Sequence, residues 1–359
     1  MKWETKHPKR TATLLLALAA AAAVFLGLEF ASMGEDEPIV PGPGVTEIKL
    51  LSDYYPALAG TAGDTKIYVL DSGVPGGSML VLGGTHPNEP AGFVSAVVLI
   101  ENCVPEEGVL YVIPRANHSA FTCTDPQEAA PMFFTLTARD GSERTFRFGS
   151  RATNPIHQWP DPEVYVHGTS GQQLSGAETR NLNRAFPGAT DGTFTERVAY
   201  GIAQLVRTES IGVAVDLHEA SPEYPTINAV VAHERAMGLG AVALMNMQLQ
   251  GMEISLEVSP TNLHGLTHRE LGDYTDTLAL LMETANASQG RLRGKTGPAL
   301  VVSGKDPLYT RAAGYGALYV AFPAEGIPLS ERVARHITGV VEIARAYQET
   351  VGSPISLSN

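Results

Sequence analysis

The chain has 359 residues, of which 44% are hydrophobic and 18% charged, and its formal net charge is −13. This length and composition are typical of a folded protein with a large core, arranged as one large domain or two ordinary ones. The acidic balance argues against a nucleic-acid partner, because binding to phosphates requires a basic surface.

The first 33 residues have a different character. Four basic residues precede an uncharged apolar run at 12–28, whose 17 residues are near the shortest length that spans hydrocarbon. Because a positive flank tends to stay in the cytoplasm, we expect residues 1–33 to be a membrane anchor with the rest of the chain extracytoplasmic. Cleavage as a signal peptide, giving a secreted protein, is the alternative. Residues 34–45 read as a polar linker.

The chain contains two cysteines, Cys103 and Cys123. In an oxidising compartment they could form a disulfide, and they could equally remain as free thiols. Neither cysteine lies at a spacing typical of metal ligands.

From residue 46 onward, short apolar runs alternate with segments of helical periodicity. This alternation predicts an α/β domain over 46–359, with a mixed, largely parallel sheet and helices on both faces. We read 124–178, which is polar and rich in Pro and Gly, as an insertion with a hairpin at 133–148. Helices are predicted at 89–103, 193–210 and 330–350, and strands at 65–73, 78–86, 108–117, 211–220, 225–233, 252–258 and 276–285.

The stretch "GGTHPNEP" at 83–90 places His86 and Glu89 where a predicted strand meets a helix. A second histidine, His218, ends the apolar strand "VAVDLHEA", and Asp216 shares its strand face because side chains two apart point the same way. The carboxyl ends of strands in such sheets gather reactive groups. We therefore expect the two histidines and Glu89 to meet, with Asp216 orienting His218 from behind.

Two imidazoles and one carboxylate are the three protein ligands of a catalytic zinc, which keeps a further position open. Such a zinc activates water and polarises a carbonyl. Glu283, in "LALLMETANAS", ends another apolar strand where a carboxylate has no packing role, so we expect it to be the general base. The sequence thus predicts one Zn²⁺ per chain, bound by His86, Glu89 and His218.

Asn183 and Arg184 lie in the turn-like stretch "RNLNRAFPG" at 180–188. A guanidinium beside an amide suits a carboxylate, because the planar guanidinium makes two parallel hydrogen bonds. Two further histidines, His264 and His268, are expected to be loop residues near the pocket rather than a zinc pair, since no glutamate of a zincin helix accompanies them.

The motifs "GGTHPNEPAG", "NLNRAFPG", "DLHE" and "LMETA", in this order, resemble those of the succinylglutamate desuccinylase/aspartoacylase family, a branch of the zinc carboxypeptidase superfamily. The resemblance covers about 65–345 except for most of 124–178, and it implies the zinc ligands, the catalytic Glu283 and the substrate-binding Asn183 and Arg184 named above. The sequence departs from the family at Asn181, where members more usually have Asp.

The resemblance implies a zinc-dependent hydrolase of amide bonds, similar to an N-acyl amino acid deacylase or desuccinylase. Its substrate would be a small carboxylate-bearing amide or a short peptide. A metallocarboxypeptidase acting on short or cell-wall peptides uses the same machinery and stays open. A non-catalytic, membrane-anchored binding module is the alternative of another class.

Overall fold

A computed structural model describes residues 8–32, 35–125, 130–138 and 140–358. Lys2 and Lys6, which contribute to the predicted membrane orientation, lie outside these residues. The chain forms two compact units, Met1–Pro38 and Ile39–Asn359, and each is described by itself.

The first unit contains one long helix, α1, over Pro8–Ser32. Its 25 residues correspond to a length of about 37 Å at 1.5 Å per residue, and the helix is apolar enough to cross a membrane. A signal sequence has the same length and composition.

The second unit is built on a mixed, largely parallel sheet, as predicted. Its helices, within the described residues, are α2 Pro90–Asn102, α3 Phe194–Thr208, α4 Met237–Leu249, α5 Thr267–Tyr274, α6 Pro298–Ser303, α7 Pro307–Gly314 and α8 Leu329–Val351. Its strands there are β1 Glu47–Leu50, β2 Lys66–Asp71, β3 Ser78–Leu82, β4 Val104–Glu107, β5 Val109–Ile113, β6 Phe133–Thr137, β7 Glu143–Arg147, β8 Val164–Val166, β9 Gln173–Ser175, β10 Val213–Ala220, β11 Ala229–Ala232, β12 Ser255–Val258, β13 Leu278–Ala285 and β14 Ser356–Ser358.

Eight of the described strands form the main sheet, in the order β1-β2-β5-β3-β10-β13-β11-β12. The central strands β5, β3, β10 and β13 are parallel to one another. Strand β11 runs antiparallel to β13, and β1 and β2 form an antiparallel edge. The parallel centre brings the carboxyl ends of β3, β10 and β13 side by side.

Successive apolar side chains of the central strands point to opposite faces of the sheet, so both faces are covered by helices. In β3, Met79 and Val81 face the core that contains α2, α4 and α8, whereas Leu80 and Leu82 face the core that contains α3. The prediction of helices on both faces is confirmed.

Each predicted strand and helix corresponds to an observed element, and the hairpin in 133–148 is β6–β7. The sequence prediction missed α4, whose glycines and methionines show little amphipathic patterning, and the short helices α5, α6 and α7. It also missed the short strands at the sheet margins, such as β1 and β14, which are too brief to show a period. Both cysteines are free thiols in the structure.

Candidate active site

The candidate site lies at the carboxyl ends of the central parallel strands. His86 follows β3, and His218 and Glu283 lie near the ends of the neighbouring strands β10 and β13. The parallel register pairs His218 directly with Glu283. Paired residues on adjacent strands leave the sheet on the same face, so the imidazole and the carboxylate share one side of it.

Glycines allow Glu89 to approach β10. Gly84 has a φ of +66°, which turns the chain sharply after β3. Gly92, in the first turn of α2, lies against the backbone of Leu217, and a Cβ there would stand 2.2 Å from the Leu217 carbonyl oxygen. The small residue thus lets α2 begin beside His218, with Glu89 immediately before the helix.

Glu89 lies between the two imidazoles. Its Oε1 is 2.8 Å from Nδ1 of His86, and its Oε2 is 2.9 Å from Nδ1 of His218. One ligand atom from each of the three buried residues lies within 4.8 Å of the others. The structure therefore brings together the three residues predicted to bind zinc.

The outer nitrogen of each imidazole contacts a further oxygen. Nε2 of His218 lies 2.9 Å from Oδ2 of Asp216, whose other oxygen accepts a hydrogen bond from Thr85 at 2.8 Å. Nε2 of His86 lies 2.8 Å from Oδ1 of Asn181. The Asn181 amide is oriented by its own contacts, because its NH₂ donates to Glu178 while its oxygen accepts from a backbone N–H. Asn181 thus supplies an oxygen where family members usually have Asp.

These contacts determine what can occupy the centre of the group. Nε2 of each imidazole faces an oxygen, so in a metal complex this nitrogen would carry the proton and Nδ1, which faces Glu89, would be the ligand atom. Burial lowers the pKa of His86 to about 4, so this imidazole is neutral at pH 7. Burial also disfavours the charged form of His218, but Asp216 and Glu89 outweigh it and raise the His218 pKa. A metal ion would take the place of the proton between an imidazole and Glu89, and two imidazoles with one carboxylate are a donor set that suits Zn²⁺.

Glu283 lines the same cavity as the three candidate ligands. Burial is the main cause that raises its pKa to about 8, and the nearby Glu89 carboxylate acts in the same direction. Its Oε2 is shielded from water and has no hydrogen-bond partner among the described residues. A carboxyl group in this state can take or give a proton near neutral pH.

Asn183 and Arg184 lie in a short 3₁₀ helix, Leu182–Arg184, and both side chains border the cavity. The Asn183 side-chain oxygen accepts hydrogen bonds from the Thr267 backbone N–H at 2.8 Å and hydroxyl at 3.1 Å. This leaves the amide NH₂ of Asn183 as the donor for a ligand. Burial, followed by the nearby Arg151, lowers the pKa of Arg184, a cation partly removed from water that an anionic ligand would stabilise.

The cavity has a volume of about 400 Å³. One wall follows the sheet away from Glu283. Glu257 on β12, Val231 on β11 and Leu281 on β13 are register partners and form a row across the sheet. All three line the cavity, with Glu257 at the edge strand and Val258 beside it 52% exposed. The wall is therefore apolar near the site, acidic at its far end and open to solvent there.

Arg151 is a site residue that the sequence analysis missed. Its Nη1 lies 3.3 Å from Oε1 of Glu89, and its side chain is 43% exposed at the cavity. It belongs to the segment 124–178, for which the sequence predicts an insertion. That segment has no periodicity to indicate where its side chains point, so only the tertiary structure reveals the contact.

Glu219 is a second residue whose role the sequence did not indicate. Its carboxylate is buried against Arg332 of α8 and accepts a hydrogen bond from the Ala91 backbone N–H at 2.8 Å. The Glu219 backbone N–H donates to Glu89 Oε2 at 3.1 Å. The pair thus ties the start of α2, and with it Glu89, to β10 and α8.

Other basic residues and histidines lie apart from the reacting groups or have other partners. Arg180 forms a bidentate ion pair with Asp161, at 2.7 and 2.8 Å. Arg115 is buried over the rings of Phe93 and Phe121. His268 lines the cavity from α5, a helix rather than the expected loop, whereas His264 contacts Glu270.

No family model matches the chain, and no curated protein matches it. Among solved structures, it is similar to a succinylglutamate desuccinylase/aspartoacylase from Rhodobacter sphaeroides, with 15% identity and a TM-score of 0.42, over 81% of this chain and 60% of that one. It is also similar to the product-bound ectoine utilization protein EutE (DoeB) from Ruegeria pomeroyi, with 16% identity and a TM-score of 0.44, over 81% and 62% of the two chains.

A metallo-carboxypeptidase from Burkholderia cenocepacia is a further similar structure, with 10% identity and a TM-score of 0.47, over 86% of this chain and 65% of that one. The chain thus spans less than two thirds of the length of each of these three proteins. The similar solved structures therefore include members of the family that the motifs resemble as well as metallocarboxypeptidases.

Proposed function

We propose that the protein is a zinc-dependent hydrolase of amide bonds, similar to an N-acyl amino acid deacylase, that acts outside the cytoplasmic membrane on a small substrate bearing a carboxylate. The observation that carries this proposal is the position of Glu283. Its buried carboxyl group shares a sheet face with His218 and lines one cavity with His86, Glu89 and Arg184. The extracytoplasmic location is inferred from α1 and the basic residues before it.

His86, Glu89 and His218 would hold the zinc ion, which when bound supplies a Lewis acid that polarises the scissile carbonyl and makes water more acidic. Asn181 and Asp216 hold the two imidazoles in the orientation that directs both Nδ1 atoms at Glu89. Because the ligands are already oriented before the metal binds, less free energy is lost in ordering them.

Arg184 and Asn183 bind the substrate carboxylate, the guanidinium by two parallel hydrogen bonds and the amide by its NH₂ group. This contact places the scissile amide beside Glu283. Glu283 accepts a proton from the attacking water as the new C–O bond forms. It then gives that proton to the amide nitrogen as the C–N bond breaks, so the products are a carboxylic acid and an amine.

A metallocarboxypeptidase is the second candidate, and it is supported by the open shape of the cavity. The wall along Val231 and Leu281 opens to solvent at Val258, which is 52% exposed. An opening of this kind leaves room for the rest of a peptide, whereas a closed pocket would restrict the substrate to a short acyl group.

One assay separates the candidates. The full chain, purified in detergent and loaded with zinc, is tested on N-acetyl and N-succinyl amino acids and on di- and tripeptides of the same carboxyl-terminal residues. Faster cleavage of the acylated amino acids supports a deacylase, and faster cleavage of the peptides supports a carboxypeptidase. Tight binding of these compounds without cleavage by either route would identify a binding module and overturn the enzymatic proposal.

A further inference from the structure

A second group of metal-ligating side chains lies outside the cavity of the candidate active site. His167 follows β8, His264 precedes α5, and Glu270 lies within α5. One ligand atom from each of these residues lies within 4.8 Å of the others. We propose that His167, His264 and Glu270 form a second zinc site, which stabilises the loop that supports Arg184.

The carboxylate of Glu270 provides the first reason for a cation. The side chain is completely buried. Its Oε1 accepts hydrogen bonds from the Gly265 backbone N–H and from His264, each at 2.9 Å. Its Oε2 is also buried but has no hydrogen-bond partner among the described residues. A buried carboxylate oxygen without a partner is costly, and a metal ion would satisfy it.

The tautomer of His167 provides the second reason. Its Nε2 lies 2.6 Å from the backbone oxygen of Phe186, which can only accept, so Nε2 carries the proton. Nδ1 is therefore the nitrogen available as a ligand atom, and its observed contacts are the hydroxyls of Ser170 at 2.8 Å and Thr169 at 3.4 Å. A backbone carbonyl that accepts from the other ring nitrogen is the usual arrangement around a metal-ligating histidine.

His264 completes the set and provides a route for the ion. Its ring lies 6.0 Å from the ring of His167, centroid to centroid, with a 19° angle between the planes. Its side chain is 30% exposed, whereas those of His167 and Glu270 are buried. Two imidazoles and one carboxylate form a donor set that binds zinc in preference to calcium or magnesium, which take oxygen ligands. A water molecule from the exposed side would complete four-coordination.

Such a site would act on substrate binding through the loop at 263–267. A Cβ on Gly265, whose φ is +82°, would stand 2.1 Å from the backbone oxygen of Arg184, so the two segments are in close contact. Thr267 donates to the Asn183 side chain at 2.8 Å. A metal joining His264 to Glu270 and His167 would therefore hold the residues that position Asn183 and Arg184. It would have a structural role, without contact to the reacting atoms.

The test counts zinc ions in the full chain, purified in detergent, stripped of metal with a chelator and titrated with Zn²⁺ by calorimetry. Elemental analysis after desalting gives an independent count. We expect two zinc ions per chain in the wild type and one in His264→Gln and Glu270→Gln. We also expect one in the His86→Ala/His218→Ala variant, which removes the first site only. His157→Gln is the matched control on a half-buried histidine elsewhere, and it should retain two.

The double variant makes the result independent of the proposed hydrolase, because it measures the second site without any activity. In that background, Co²⁺ should give visible absorption bands that the additional Glu270→Gln change abolishes. Circular dichroism and thermal unfolding check that each variant is folded. Substitution of the partly exposed His264 should disturb the fold less than substitution of the buried Glu270. The proposal is overturned by a double variant that binds no zinc, or by a His264→Gln variant that retains as many zinc ions as the wild type.

Discussion

His218 and Glu283 are register partners on the parallel strands β10 and β13, and their side chains leave the sheet on the same face. This relationship is the structural basis of the proposed chemistry. It places a carboxyl group with a raised pKa beside the histidines and Glu89 while the strand backbones hold both residues in position.

Glu283→Gln should abolish most of the activity without loss of the metal. The amide has the same shape but cannot accept the proton of water, so we expect kcat to fall by about 10²–10⁴. Zinc content, measured by elemental analysis, should remain that of the wild type. The matched control is Glu253→Gln, an exposed carboxylate just before β12, which should leave kcat unchanged. Wild-type turnover in Glu283→Gln would exclude Glu283 as the base.

Asn181→Ala should weaken metal binding, because it removes the oxygen 2.8 Å from Nε2 of His86. Loss of such a supporting contact typically costs about 10–100-fold in metal affinity or activity. Competition between the protein and a zinc chelator measures the change. Asn102→Ala, which removes an exposed side chain at the end of α2, is the control and should bind zinc like the wild type. Unchanged zinc affinity in Asn181→Ala would show that His86 does not need this partner.

Arg184→Lys should impair binding of the substrate carboxylate, since lysine provides a point charge without the paired hydrogen bonds. Hydrogen bonds to charged groups contribute about 1.5–3 kcal/mol, which corresponds to a decrease of about 10–150-fold in kcat/KM. The decrease should be much smaller for a substrate whose carboxylate is converted to an amide. The exposed Arg207→Lys serves as the control. Equal losses on both substrates would argue that Arg184 does not contact the carboxylate.

Glu257→Gln should change the preference for the substrate side chain. The cavity wall is apolar at Leu281 and Val231 and ends at the Glu257 carboxylate, which suits an aliphatic side chain with a terminal ammonium. Because Glu257 is partly exposed, an ion pair there contributes about 0.2–1 kcal/mol, or about 1.5- to 5-fold in kcat/KM. We expect the wild type to cleave substrates with a lysine side chain faster than those with the uncharged norleucine side chain. In Glu257→Gln this difference in kcat/KM should disappear. A ratio of the two kcat/KM values that matches the wild type would show that the side chain lies elsewhere.

Arg332→Met should destabilise the fold, because it leaves the Glu219 carboxylate buried without its cation. Removing one partner of a buried ion pair costs about 3–5 kcal/mol in the free energy of unfolding. Denaturant titration of the full chain in detergent measures this value. Arg335→Met, on the same helix but paired at the surface with Glu331, should cost at most about 1 kcal/mol. The double variant Glu219→Gln/Arg332→Met should recover part of the loss, and equal losses in the two single arginine variants would contradict the prediction.

The candidate ligands were predictable from the sequence because they follow apolar strands. His86 and His218 each end such a run, and the carboxyl ends of parallel strands meet at one edge of a sheet. Glu283 was predictable for the same reason. By contrast, Arg151 lies in an irregular segment, where no period indicates the direction of a side chain.

The residues that contact these side chains were also not predictable from the sequence. Asn181 stood out in the sequence only as a departure from the usual Asp, and its contact with His86 joins segments that are 95 residues apart in the chain. Nothing in the sequence singled out Glu270. Its complete burial beside His264 depends on segments far apart in the chain meeting at one place.

Local periodicity and composition depend on neighbouring residues, so the central strands, three helices of the domain and the side chains at the strand ends could be predicted from the sequence. Which strands lie side by side, and so which of those side chains meet, is known only from the folded chain. Pairing of parallel strands depends on burying surfaces that are distant in the chain. The contacts of His218 with Glu89 and the position of Glu283 therefore follow from the packing of the whole sheet with its helices.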